Sequence, residues 1–262
     1  MFLLLGPASC TDEARDAAVD RDGSRVPPPS SSDVADDGRI EVGRKLLKAG
    51  RYPEAAVLFE TVVAQRPDLA RANFYKGLIL QNQKAHSSAL GWYEVARDLG
   101  QEFPERDLLP YYMAWCAYYS GRPRDARLEI DRFLGRTTDS PRADAHFLKG
   151  LIHFDADELE EAQLSFASAI EIAEASSDPE QVRDMTRAWV RQADVLMRLG
   201  RNRQALGSID RAVQLAPDLQ EAWFRKYTIH SRLGEDAAAD EARARWQELR
   251  SELLDATSGG SR

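Results

Sequence analysis

The sequence predicts an all-α chain, a solenoid of about six helix–turn–helix units. Three observations predict it. Gly43 and Gly77 stand 34 residues apart, and the small and apolar residues around each recur in the same order. A recurrence of that length marks two-helix units stacked in an array. Gly50, Gly121, Gly200 and Gly234 fall where the first helix of a unit must end, because glycine accepts the left-handed conformation there. Composition agrees: 43% hydrophobic and 30% charged residues, with 16 Gly and 12 Pro in 262 residues, suit surface-rich helices better than sheets. In such an array each unit packs only on its neighbours, so length counts units and not domains.

The sequence opens Met1-Phe2-Leu3-Leu4-Leu5-Gly6-Pro7-Ala8-Ser9-Cys10. Small residues just before a Cys, after a Leu run, resemble the end of a bacterial lipoprotein signal peptide. The resemblance implies that residues 1–10 are a truncated signal segment and that Cys10 is the lipidated residue. Pro7 stands where that signal usually has Leu, and the apolar run is short and has no basic lead-in. A start codon assigned too far downstream would account for both. Residues 11–38 hold eight acids and three arginines, −5 of the formal −8, with Pro27-Pro28-Pro29 and Ser30-Ser31-Ser32. Such a stretch buries too little apolar surface to offset its ordering entropy and is expected to be a disordered tether. The location this implies is the bacterial cell envelope, on the periplasmic side. The alternative is a cytoplasmic protein whose Cys10 is incidental.

The units follow over 39–255. With Gly43 at position eight, Gly50 is at fifteen, Tyr52 at seventeen, Ala55 at twenty, Phe59 at twenty-four and Pro67 at thirty-two. The second unit repeats this with Gly77, Leu80, Ala89, Tyr93 and Ala96. In the third come Ala114, Ala117, Gly121, Ala126, Ile130 and Phe133, displaced by Pro104-Glu105-Arg106. The fourth has Gly150, Ala162, Phe166 and Ala169, with a long second helix before Ser176-Ser177-Asp178-Pro179. The fifth reads Trp189, Ala193, Leu196, Gly200, Ala205, Ile209, Ala212 and Pro217. A sixth begins with Trp223 and Gly234 and then departs, with Arg243 and Trp246 where apolar and small residues are expected. Its last helix, 236–254, places Trp246, Leu249 and Leu253 on one face, as a terminal cap should. Residues 256–262 are expected to be a disordered tail.

This pattern resembles the tetratricopeptide repeat family, over about 36–255. The small residues at eight and twenty let the two helices of a unit approach closely, and the large residue at twenty-four fills the gap towards the next unit. Pro67 and Pro217 stop second helices, lacking an N–H and clashing with the preceding turn. The resemblance implies a right-handed superhelix whose first helices line a concave groove, with ligand contacts at positions two, five, six, nine, twelve and thirteen. Carried over, these give Phe74, Tyr75, Tyr111, Tyr112, Trp115, Tyr119, Phe147 and Leu151, then Arg187, Arg191 and Arg225 towards the C-terminal end. Tyr and Trp make good binding anchors. The other reading of the aromatics in the run 111–119 is that they pack on the inserted segment 101–110 and bind nothing. Co-chaperone members grip a C-terminal carboxylate with Lys, Asn and Arg. Here the corresponding places read Ile40, Arg44, Tyr75, Leu108 and Tyr112, or one unit on Phe74, Leu78, Tyr112, Asp144 and Leu148, so neither frame makes that clamp.

No catalytic constellation is legible. His146 and His153 are seven apart and lack the i, i+4 pairing of a zinc helix, so no metal site is assigned. There is no phosphate-cradling Gly loop, nucleophile elbow or Cys–His pair. Cys116, in a dense apolar run, reads as a small buried side chain. Without a long basic run, no nucleic-acid surface is expected. Without 18 consecutive apolar residues, the membrane is reached only through a lipid on Cys10. The expected function is a non-catalytic scaffold, without cofactor, that binds a protein or peptide partner in the groove. Its alternatives are a cytosolic adaptor or regulator without an anchor and a metal-dependent or hydrolytic helical-repeat enzyme.

Overall fold

The computed structural model describes residues 31–136, 142–176, 182 and 185–259. Their helices are α1 (Ser31–Lys48), α2 (Tyr52–Gln65), α3 (Ala70–Asn82), α4 (His86–Asp98), α5 (Leu109–Tyr119) and α6 (Pro123–Leu134). Then come α7 (Ala143–Asp155), α8 (Leu159–Glu174), α9 (Thr186–Arg198), α10 (Asn202–Leu215), α11 (Gln220–Leu233) and α12 (Asp236–Gly259). One turn of 3-10 helix, Arg106–Leu108, precedes α5. No strand occurs among the described residues, and no described helix is long and apolar enough to cross a membrane.

The chain divides into two compact units, Met1–Leu58 and Phe59–Arg262. In the first, Ile40 and Ala55 are fully buried. Helix α1 begins at Ser31, so residues 31–38 of the stretch read as a tether are helical. No proline lies between Pro29 and Pro53, and a helix propagates back from a packed residue such as Ile40 until something stops it. Cys10, the signal segment and the rest of the tether lie outside the described residues.

The second unit is a run of helix hairpins, α3 on α4, α5 on α6, α7 on α8, α9 on α10 and α11 on α12. Neighbouring hairpins touch through α4 and α5, α6 and α7, α8 and α9, and α10 and α11. The first helices also meet directly, α3 with α5, α5 with α7, and α9 with α11. The core follows the register of the sequence. Ala89, Tyr93, Ala114, Ala126, Ile130, Ala162, Phe166, Ala193, Ala205 and Ile209 are all fully buried. A methyl group added at Gly77 would stand 2.7 Å from the Tyr93 ring, and one at Gly150 2.6 Å from the Phe166 ring. The large residue at position twenty-four therefore sits on the glycine of its own hairpin. It also reaches the next one: Phe166 shares a cluster with Val195.

Each hairpin turns through one left-handed residue at position fifteen. Glycine supplies it at Gly121, Gly200 and Gly234, and also at Gly50 in the first unit. Where the sequence offers no glycine the conformation persists, with φ of 62° at Lys84 and 63° at Asp157. The reason is the hydrogen bond that follows, from the N–H of position sixteen to the carbonyl of position eleven. It measures 2.9 Å for Ala85 to Leu80, 3.0 Å for Glu158 to His153 and 2.8 Å for Arg201 to Leu196. The turn is thus fixed by backbone bonding, and a side chain there is tolerated at a cost.

Two expectations need correction. Leu253, assigned to the packed face of the last helix, is 60% exposed, whereas Leu249 is buried. Helix α12 has 24 residues and its partner α11 only 14, so the last turns of α12 outrun the surface they would pack on. Residues 256–259, expected as a tail, continue that helix.

Candidate functional site

Helix α5 carries the densest group of aromatic residues. Met113, Ala114, Cys116 and Ala117 are buried and take up its packing stripe. Tyr112, Trp115, Tyr118 and Tyr119 are left at the margin or outside, because no helix can bury residues on every side of a two-layer array. Tyr119 is 58% exposed. Its ring stacks on Trp115 at 5.6 Å and on His86 at 4.8 Å, and Trp115 meets Tyr118 edge-on at 6.4 Å. These rings form an ordered, accessible platform. Burial, and then the charge of Lys84, hold His86 below the usual histidine range.

Phe74, Tyr75 and Tyr111 are placed differently: all three are buried. Phe74 packs against Tyr75 at 5.2 Å, Tyr93 at 5.7 Å, Tyr112 at 5.5 Å and Phe103 at 5.8 Å. Tyr111 packs on Phe133 at 5.4 Å and Tyr112 at 5.1 Å. These side chains weld the α3–α4 hairpin to the α5–α6 hairpin. Segment 101–110 thus meets Phe74 and Tyr75, through Phe103 and Glu105, residues outside the run 111–119 that the alternative reading concerns; within that run Tyr119 is exposed.

The insertion that displaces the third unit supplies part of this construction. Gln101 accepts from the N–H of Ala70 at 2.8 Å and donates to the carbonyl of Asp68 at 2.9 Å, so it caps the start of α3. Glu105 receives both ends of the Arg71 guanidinium at 2.9 Å and the Tyr75 hydroxyl at 2.6 Å. Burial works against the charge on Glu105, but the hydrogen bonds from Arg71 and Tyr75 outweigh it and hold its carboxyl below the usual range. One unit on, the Tyr111 hydroxyl donates to Asp144 at 2.5 Å, and Arg142 both pairs with Asp144 at 2.7 Å and lies 4.3 Å over the Tyr111 ring. Sequence reasoning missed Gln101, Glu105 and Arg142. The available signal was the near-repeat spacing of Arg71 from Glu105 and of Tyr111 from Asp144, 34 and 33 residues.

The C-terminal arginines form a second patch. Asp194, buried at 7% exposure, receives Arg225 at 2.5 Å and Arg191 at 3.0 Å, and Glu221 faces the same two guanidiniums at 3.7 and 3.4 Å. Arg198 and Arg232, both at position thirteen, repeat one contact. Each donates to a carbonyl at position twelve of the preceding unit, Phe154 at 3.5 Å and Met197 at 3.2 Å. Each of these carbonyls already accepts a turn N–H, from Asp157 at 3.1 Å and from Gly200 at 3.2 Å, and the guanidinium adds a second donor at the negative end of the helix dipole. These four arginines, with Phe154, Met197 and Phe224 among the other lining residues, bound a cavity of about 370 Å³. Arg187 is exposed and does not line it. Phe147 and Leu151 are half-buried against Phe166, between the two patches.

His153 lies 2.5 Å from Glu158, which also takes Arg127 at 2.6 Å. Among the described residues no three His, Cys, Asp or Glu side chains gather as metal ligands would. Burial pushes the Cys116 thiol up to about 12.

The sequence profile of the tetratricopeptide repeat matches residues 43–104 and 113–179 in one form and 186–219 in another. A search by sequence among curated proteins finds no significant match. Among solved structures the protein is similar to the Cut9–Hcn1 hetero-tetramer of the APC/C, with a TM-score of 0.65 and 13% identity over 80% of this chain. It spans 39% of the length of that relative. It is similar to PilW, described as a widely conserved type IV pilus biogenesis factor, with a TM-score of 0.66 and 17% identity, covering 84% of this chain and 98% of that one. It also resembles YrrB, a repeat protein with an unusual peptide-binding site, with a TM-score of 0.56 and 19% identity, covering 72% and 90%. At these identities the likeness concerns the fold.

Proposed function

Because this chain belongs to the tetratricopeptide repeat family, we propose that it is a non-catalytic scaffold that holds a protein or peptide partner in the groove of its repeats. One observation carries this reading. Trp115 and Tyr119 present stacked rings at the surface, and Tyr119 stays 58% exposed although the helix around it is densely packed. Exposed aromatic groups held rigid by their neighbours are the typical anchors of interfaces, because binding them costs little side-chain entropy. Triple substitution of Tyr112, Trp115 and Tyr119 by Ala tests it in partner capture from native extract. Loss of the captured protein is expected; unchanged capture would sink the groove reading.

The scaffold is lipid-tethered through Cys10 in the bacterial envelope, where it assists assembly. Support comes from the Leu run and small residues before Cys10 and from the fold shared with PilW, a pilus biogenesis factor. Mass spectrometry of the native N-terminus decides this part: an acylated Cys10 is expected, and an intact Met1 replaces it with a cytosolic adaptor.

A further inference from the structure

The second helices of the hairpins carry an apolar feature that packing does not need. Position twenty-two, two residues after the buried alanine of each second helix, points outward. In the second compact unit it reads Gly91, Leu128, Leu164 and Gly207, on α4, α6, α8 and α10. Leu128 is 57% exposed and Leu164 70%, and a methyl group added at Gly91 or Gly207 would meet nothing within 4 Å. The two leucines therefore stand clear, side by side on neighbouring hairpins and away from the first-helix groove.

A hollow lies beside them. Helices α6 and α8 both pack on α7. Over α7 opens a cavity of about 440 Å³, bounded by Leu134 of α6, His146 and Lys149 of α7, and Leu164 and Ser165 of α8. Burial, and then the charge of Lys149, hold His146 below the usual histidine range, and Lys149 is taken by Asp131 at 2.7 Å. Such a hollow suits an apolar side chain. Charge around the leucines differs between the two helices. One turn before Leu128 stands Arg124, exposed and without an ion pair among the described residues. One turn before Leu164 stand Glu160 and Glu161, exposed and likewise without an ion pair. The carboxylates Asp125 and Asp131 of α6 are already matched, by Arg122 and Lys149, each at 2.7 Å.

We infer that a second copy of this chain docks on this outer face, α6 of each copy lying on α8 of the other. The surface is complementary to itself: it holds both a knob and a hollow, and both an unmatched cation and unmatched carboxylates. Second helices of successive hairpins run in the same direction, so a two-fold axis between α6 and α8 and parallel to them gives this arrangement. Leu128 of each copy then enters the cavity beside Leu164 of the other, and Arg124 faces Glu160, both contacts made twice as an isologous pair requires. An axis across the helices would instead lay α8 on α8 and bring Glu160 and Glu161 towards Glu171, which like charges disfavour. The contact uses the outer face and is independent of the groove reading.

Sedimentation equilibrium of the full-length protein tests this, with reductant present so that Cys10 cannot cross-link copies. Two helices per copy make a contact below the ~1,200 Å² of a standard interface, so dissociation is expected between about 10 µM and about 1 mM. Higher salt should weaken it. Leu128→Glu and Leu164→Glu should each weaken the dimer at least about tenfold, with helical circular dichroism unchanged because both side chains are exposed. Arg124→Glu and Glu160→Arg should each weaken it about fivefold. An equal mixture of those two variants should recover the parent affinity, since opposite charges then meet at both contacts. A monomer at about 1 mM, a dimer indifferent to either leucine substitution, or no recovery on mixing overturns the inference. A monomer that captures another protein from extract, and loses it with Leu164→Glu, also overturns it and assigns the face to that other protein.

Discussion

Nε of Arg225 donates to a carboxylate oxygen of Asp194, 31 residues earlier, at 2.5 Å, and this contact joins the first helices of two successive repeats. Asp194 is almost wholly buried and Arg225 about one-quarter exposed, so their charges lie in a medium that screens less than water. The bond also fixes the floor of the arginine-lined cavity. The ion pair therefore contributes to the packing of the two repeats, and substitution can measure how much.

Arg225→Ala leaves Asp194 with Arg191 alone, and a cost of about 1–3 kcal/mol is expected for a buried carboxylate that loses its best donor. Urea denaturation measures it. The double substitution Asp194→Leu with Arg225→Met should recover most of the loss, since it leaves no unpaired charge. Equal stability of Arg225→Ala and the parent protein would show that the pair contributes nothing.

Glycines divide by what stands opposite them. Gly150→Ala drives a methyl group into the Phe166 ring and should destabilise by about 1–3 kcal/mol. Gly91, inside α4, has nothing within 4 Å of an added methyl group, so Gly91→Ala should stabilise by roughly 0.5–1 kcal/mol through helix propensity alone. A comparison of denaturation midpoints gives both signs in one experiment.

The left-handed turn residues offer a test of opposite direction. Lys84→Gly should raise stability by up to about 1 kcal/mol, because the lysine holds a φ of 62° that costs L-residues about 1–2 kcal/mol. Gly121→Ala, at the equivalent place one repeat on, should lower stability by a similar amount. Thermal melts of the two variants should shift oppositely.

Glu105 links stability to acid. Its carboxyl is held below the usual range in the folded protein, so the folded state binds this proton more weakly than the unfolded state does. Its contribution is complete above the ordinary glutamate value of about 4.3 and disappears as the pH falls through the lower folded value. Stability should therefore decline on acidification below that ordinary value, and Glu105→Gln should flatten that part of the profile while weakening the fold at neutral pH.

Cys116 is buried and its thiol is pushed up to about 12. The reactive thiolate is then scarce at neutral pH. Native protein should alkylate at Cys116 far more slowly with iodoacetamide than protein in urea; equal rates would contradict the packing of α5.

Much of this fold is legible in the residues alone. The spacing from Gly43 to Gly77 predicts the hairpin and its register, because a small residue at eight leaves room for the large apolar residue at twenty-four. Gly77 beneath Tyr93 and Gly150 beneath Phe166 show that fit. The αL turn was legible only at Gly50, Gly121, Gly200 and Gly234; Lys84 and Asp157 adopt it because the backbone bond behind it is worth more than the strain.

The division of the groove aromatics needed the tertiary structure. Phe74, Tyr75, Tyr111, Trp115 and Tyr119 look alike in sequence, but only neighbours distant along the sequence decide which are covered. Phe103 and Glu105, carried in by a three-residue displacement, close over Phe74 and Tyr75, and nothing comparable covers Tyr119. Charge pairing is non-local for the same reason. Sequence places Arg191, Arg198, Arg225 and Arg232 on successive first helices; only packing sets which of them meets Asp194, Glu221 or Asp157, and which donates to a carbonyl alone. Short-range periodicity fixes the scaffold because each unit solves the same local packing problem, whereas accessibility and charge balance are sums over contacts between units.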